Sequence, residues 1–125
     1  MKALIPLTLA FALGAAAHAQ AACVYPTAPA APPDGNTATK DQMIAAKHDF
    51  DRFNGEMNVY LDCLKLETDT VTPKDPSKLT TEEKKKIADQ QKILAQKNNA
   101  AVDDLQAVVG RFNEQLKIYK AKQKS

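Results

Sequence analysis

The chain has 125 residues, 44% of them hydrophobic, with no tryptophan and a formal charge of +2. That length holds one small domain with a thin core, and the near-neutral balance excludes a global field that would draw nucleic acid or a membrane surface. Two cysteines and two histidines exclude a multi-histidine or multi-cysteine metal cage.

The N-terminus reads as an export signal. Lys2 supplies the positive start, Leu4 to Leu13 the apolar run, and Ala17-His18-Ala19 a small-x-small cleavage site before Gln20. Residues 1–19 are therefore expected to be removed, and cleavage as late as residue 22 fits as well. Cys23 and Cys63 both survive cleavage, and a cysteine pair in an exported chain is most simply a disulfide.

Residues 23–36 form the next unit. Pro26, Pro29, Pro32 and Pro33 predict an extended arm, and Asp34-Gly35-Asn36 is a turn signal. The remainder, 37–125, predicts two helices. Thr39 with Gln42 three residues on reads as a capping box opening a helix that runs to about Glu67. Its apolar stripe is Met43, Ala46, Phe50, Phe53, Met57, Tyr60 and Leu64, a three-four alternation suited to a helix–helix seam. Pro73 and Pro76 break the chain between Thr68 and Leu79.

Thr80 then caps a second helix reaching about Lys122, with Glu82 and Glu83 at the positive end of its dipole. Ile87, Leu94, Ala101, Leu105, Val108, Phe112, Leu116 and Tyr119 share one side of it. Two such helices joined by a short loop predict an all-α fold, an antiparallel two-helix hairpin. Setting Leu64 opposite Ile87 places Met57 by Leu94, Phe50 by Ala101 and Met43 by Val108. In that register Phe112, Leu116 and Tyr119 overhang the first helix and need cover from the Asp34 turn, a second copy or another partner.

A second stripe lies on the back of the first helix: Ala45, His48, Arg52, Gly55, Val59, Cys63 and Leu66. It predicts that the arm starts at Cys63, lies on the Gly55-Val59-Leu66 side opposite the second helix, and turns at Asp34. The lengths agree, at about 34 Å for the arm and about 35 Å for the helix from Lys40 to Cys63. Gly55 would then admit the proline backbone, or be no more than a tolerated helix glycine.

The catalytic inventory is empty. His48 is the one histidine after the signal, with Asp41 and Asp51 near it in sequence, and the bonded cysteines leave no thiol nucleophile. Asp103 and Asp104 are adjacent and so do not face one another on a helix. No glycine-rich phosphate loop occurs. Neither enzyme activity, cofactor nor metal is expected. Gln91 and Asn98 interrupt the apolar stripe of the second helix as a polar layer or a polar ligand site. Arg111, Lys117, Lys120, Lys122 and Lys124 crowd the C-terminus, where cations complement the helix dipole. Val102, Val109 and Ala95 widen the second helix's stripe beyond what one helix covers. Val102 and Val109 with Phe112, Leu116 and Tyr119 make the candidate interaction surface, and a homodimer is one use of it.

Cys23 with its proline-rich run, Asp34-Gly35, Tyr60-Leu61-Asp62-Cys63-Leu64, Asn99-Ala100-Ala101-Val102-Asp103 and Arg111-Phe112-Asn113 together resemble small exported proteobacterial proteins of unassigned function. The resemblance implies a Gram-negative periplasm and supplies no activity. Leu79-Thr80-Thr81-Glu82-Glu83 also resembles the Leu-Thr-x-x-Gln motif of the Spy/CpxP-type periplasmic chaperones, with Glu83 in place of the glutamine. The expectation is a non-enzymatic periplasmic protein that binds a protein or envelope partner. Its alternatives are a holdase for unfolded envelope proteins and a lipoprotein acylated at Cys23.

Overall fold

The computed structural model describes residues 22–125, so the expected export signal lies outside the described residues. The protein is all-helical there: α1 spans Lys40–Val71, a single 3₁₀ turn covers Pro76–Lys78, and α2 spans Thr81–Gln123. The two long helices pack against each other as an antiparallel hairpin.

Local chemistry sets the ends. Thr39 accepts from the Gln42 amide while the Gln42 side chain accepts from the Thr39 amide, and Thr80 and Glu83 repeat this reciprocal cap on α2. Helix α1 continues one turn past its expected end at Glu67. Hydroxyls of Thr68, Thr70 and Thr72 donate back to the carbonyls of Leu64, Leu66 and Thr68, which lets these threonines sit in helical backbone until Pro73 stops it.

Both predicted stripes form the core. Phe53, Met57, Tyr60 and Leu64 of α1 bury against Leu94, Ala101 and Val108 of α2. Their register differs from the expected one. Phe50 stacks on Phe112 with ring centroids 5.2 Å apart, Met43 shares a cluster with Phe112, and Gln91 Nε2 donates to Thr72 Oγ1 at 3.1 Å. Compared with Phe50 facing Ala101, α2 has slid by about eleven residues, or roughly three turns. The slide puts the aromatic end of α2 on the first turns of α1. The cost falls on the loop after Val71, which climbs about 15 Å along the start of α2, well within the reach of nine residues at about 3.3 Å each.

The far end of the hairpin closes on the turn. The Asp34 carbonyl accepts from the amides of Thr37 and Ala38, and its side chain accepts from the Asn36 amide at 2.9 Å. Ala38, Met43 and Phe112 then form a second buried cluster that Leu116 and Tyr119 pack against. Of the three covers anticipated for the aromatic end, the turn supplies this one, together with α1 itself.

Gly35 is buried for a reason of space. Its amide donates to Gln115 Oε1 at 2.8 Å, and a Cβ there would lie 2.8 Å from the Tyr119 amide nitrogen. Gly35→Ala is accordingly expected to destabilise the protein by about 1–3 kcal/mol through overpacking against α2 backbone. Thermal unfolding of the variant checks this, and an unchanged midpoint would show that the turn does not press on α2.

Candidate functional site

Between Cys23 and Asp34 the proline-rich segment has neither helix nor strand. Cys23 and Cys63 are bonded, with Cα atoms 5.7 Å apart. Beside them Glu67 accepts from the Cys23 amide at 3.4 Å, and its Oε1 sits 3.2 Å from Cys23 Sγ. A disulfide sulfur carries no proton, so that second approach is a packing contact.

Two residues on, Tyr25 meets the Tyr60 ring edge-on, at 5.0 Å and 72°, and its hydroxyl donates to the Asp104 carboxylate of α2. Farther along, Pro29, Pro32 and Pro33 border a half-open pocket of about 270 Å³ together with Phe50, Val108 and Phe112. The segment therefore touches α2 as well as α1. This corrects the expected placement on the Gly55-Val59-Leu66 side. Gly55 faces open space, and Val59 and Leu66 are 70% and 68% exposed. The back stripe is used at Cys63, at Ala45 and on the flank of Val59, which borders a shallow pocket with Val24, Tyr25, Pro26 and Thr27, and elsewhere the segment has a second helix to lie against. A groove between two helices buries an apolar chain on two sides, whereas the back of α1 would bury it on one.

Burial, and the hydrogen bond to the Asp104 carboxylate with its negative charge, push the Tyr25 hydroxyl up to about 12. An unfolded tyrosine loses its proton near 10, so this contribution to stability is present below pH 10 and fades as the pH rises toward 12. A spectrophotometric titration should show one phenol near 12 that is missing in Tyr25→Phe. Asp104→Asn should bring that phenol down. A Tyr25 that ionises near 10 in the wild type contradicts the clasp.

The candidate surface residues divide between two environments. Phe112 is internal, at 6% exposure, and Leu116 and Tyr119 are half-buried against the same cluster. Val102 and Val109 are half-buried on the opposite side of α2 from Asp104 and Arg111, the two residues that face the proline-rich segment. A shallow groove runs along that open side, bordered by Leu61, Lys65, Ala95 and Asn98 and by no residue of the segment. Gln91 is half-buried and tied to Thr72, while Asn98 is exposed in the groove.

No catalytic constellation assembles among the described residues. His48 is exposed and Asp51 is paired with Lys47. Asp104 is engaged by Tyr25, and Asp103 is exposed. The one cluster of three metal-type donors among the described residues is Cys23, Cys63 and Glu67, whose sulfurs are spent on each other. At the C-terminus Lys117, Lys120 and Lys124 border a shallow pocket with Leu116. Among the described residues no helix is long and apolar enough to cross a membrane.

Sequence reasoning missed Tyr25, Glu67, Asp104 and Gln115 as holders of the segment. A lone tyrosine in an alanine–proline run was the available signal for the first, because such a run offers few other side chains able to anchor it. No family model, curated protein or solved structure matches this chain.

Proposed function

We propose that this is a non-enzymatic periplasmic protein that binds a protein or envelope partner through the hairpin face its proline-rich arm leaves open. The arm is read as an extended clasp that lies along one groove of the hairpin and stiffens it. The observation that carries the proposal is the asymmetry of the two grooves. One is occupied along its length by Tyr25 and Pro29–Pro33, while the other carries no residue of the segment and leaves Val102, Val109 and Leu61 only half-buried. Half-buried aliphatic side chains in a row on a small helical domain are the pattern of a contact surface. The export signal and the Cys23–Cys63 bond support an oxidising compartment. A bonded Cys23 sulfur is not free to carry lipid, which favours simple cleavage over the lipoprotein reading.

A photoreactive amino acid placed at Val102 tests the proposal in the periplasm. A discrete crosslinked product is expected there and not from the same probe at Asp89. No product from any open-face position, in cells where loss of the protein has a phenotype, overturns it.

The holdase reading retains one supporting observation: Ile44, Val59, Leu66 and Ile93 are each more than half exposed, offering dispersed apolar contacts to an unfolded client. Its assay is suppression of a client's aggregation at near-stoichiometric amounts. No suppression removes it.

A further inference from the structure

We infer that the open face of the hairpin pairs with the same face of a second copy of this chain, about a two-fold axis at Asn58. The inference rests on the binding reading above and names the partner. Two ion pairs mark the face, Lys47 with Asp51 and Lys65 with Asp69, the latter at 2.9 Å. They are separated by roughly five turns at about 3.6 residues per turn, so both lie on one side of α1. Lys65 and Asp69 border the open groove together with Leu61, Ala95 and Asn98, which fixes that side as the open one.

The order of charges is self-complementary. Lys47 and Asp69 are equidistant in sequence from Asn58, and so are Asp51 and Lys65. Turning a second copy over about Asn58 therefore brings Lys47 to the partner's Asp69 and Asp51 to the partner's Lys65. Isologous pairing requires this kind of arrangement, in which one surface carries both halves of each contact.

Helix α2 agrees. The Phe50–Phe112 stack and the Gln91–Thr72 bond set Asn58 level with Asp104, so the axis crosses α2 between Val102 and Gln106. Charged side chains between Ile93 and Asn113 avoid the face. Asp104 and Arg111 belong to the side of the proline-rich segment, and Lys97 and Asp103 fall about 100° or more around the helix from Val102. What meets across the axis is Val102 with the partner's Gln106 and Val109 with the partner's Asn99 on α2, while on α1 Asp62, which also borders the groove, comes opposite the partner's Asn54, a polar centre inside an ionic rim. The face from Lys47 to Asp69 is about 33 Å long and two helices wide, giving roughly 600 Å² on each chain. That sits at the lower edge of the areas stable dimers bury, about 1,200 Å² in total, so the dimer is a weak one.

Charge-swapped pairs test this by sedimentation velocity on the oxidised protein. The wild type is expected to run as a dimer at about 200 µM. D51K/D69K makes the rim wholly basic and K47D/K65D makes it wholly acidic. Each alone should weaken self-association at least about tenfold, and an equimolar mixture should recover a one-to-one heterodimer. All four positions are exposed, so the helical circular dichroism of each variant should match the wild type. A wild type monomeric throughout, variants that dimerise like the wild type, or a mixture that stays monomeric each overturn the inference. A monomer that still gives a discrete foreign crosslink at Val102 overturns self-pairing alone and leaves partner binding standing.

Discussion

Phe53→Ala is expected to remove about 3–5 kcal/mol of stability, the largest loss from any single core truncation in the protein. Phe53 is fully buried at the centre of the seam, with Met57 and Leu64 fully buried along the same face. The hairpin has nothing to collapse into the space, because the nearest core positions of α2 at its level are Leu105 and the β-branched Val108 on a rigid helix. For a domain of about 100 residues, whose whole stability is about 5–15 kcal/mol, such a loss takes from about a fifth of it to all of it. The urea midpoint should fall accordingly, while Val59→Ala on the exposed back of α1 should move it by less than about 0.5 kcal/mol equivalent. Equal effects at the two positions would mean that the seam is not the core.

Cys63→Ser is expected to cost about 2–4 kcal/mol. The bond joins residues 40 apart, and closing a loop of that length restricts the unfolded chain by about 4 kcal/mol in the entropy model. Part of the segment's hold is independent of the sulfurs, since Tyr25 still bonds Asp104 and Gly35 still bonds Gln115. The variant should therefore loosen at Cys23 and Tyr25 first, with the turn remaining docked on α2. The seam survives because Phe53, Met57 and Leu64 are buried with Leu94, Ala101 and Val108 of α2, and Cys23 packs against that cluster as a partly buried neighbour. Hydrogen exchange should show α1 and α2 amides still protected together. Collapse of protection throughout both helices would show that the hairpin depends on its clasp.

Caps and stripes were legible because each is a local signal. Thr39 with Gln42, Thr80 with Glu83, and the three-four spacing of Met43 to Leu64 need no knowledge of the partner helix. Register was illegible for a reason that lies in the helix itself. A slide of about eleven residues is close to three whole turns, so it returns almost the same face to the seam and leaves the stripe pattern nearly unchanged. What chose between registers was the end of the molecule, where Phe112, Leu116 and Tyr119 find Ala38 and Met43 in one arrangement and hang free in the other.

The seat of the proline-rich segment was half legible. Two cysteines gave the bond and matching lengths gave its direction, and Cys63 and Ala45 are the edge shared by the back of α1 and the groove beside α2. A stripe of small residues cannot say from which flank it is covered. Asp104, Arg111 and Gln115 decide it, and in sequence they read only as the polar side of α2. Val102 and Val109 were legible as excess apolar width, although the charge order of Lys47, Asp51, Lys65 and Asp69 that singles out their side emerges only once the helices are placed.

The proline-rich segment lies along one groove of the hairpin and leaves the other bare, and nuclear Overhauser contacts in the oxidised protein measure this most directly. Cross-peaks are predicted from the Tyr25 ring to the Tyr60 ring and from Pro29–Pro33 to Val108 and Phe112, with none to Leu66. Cross-peaks from the prolines to Gly55, Val59 and Leu66, without any to α2, would contradict the account.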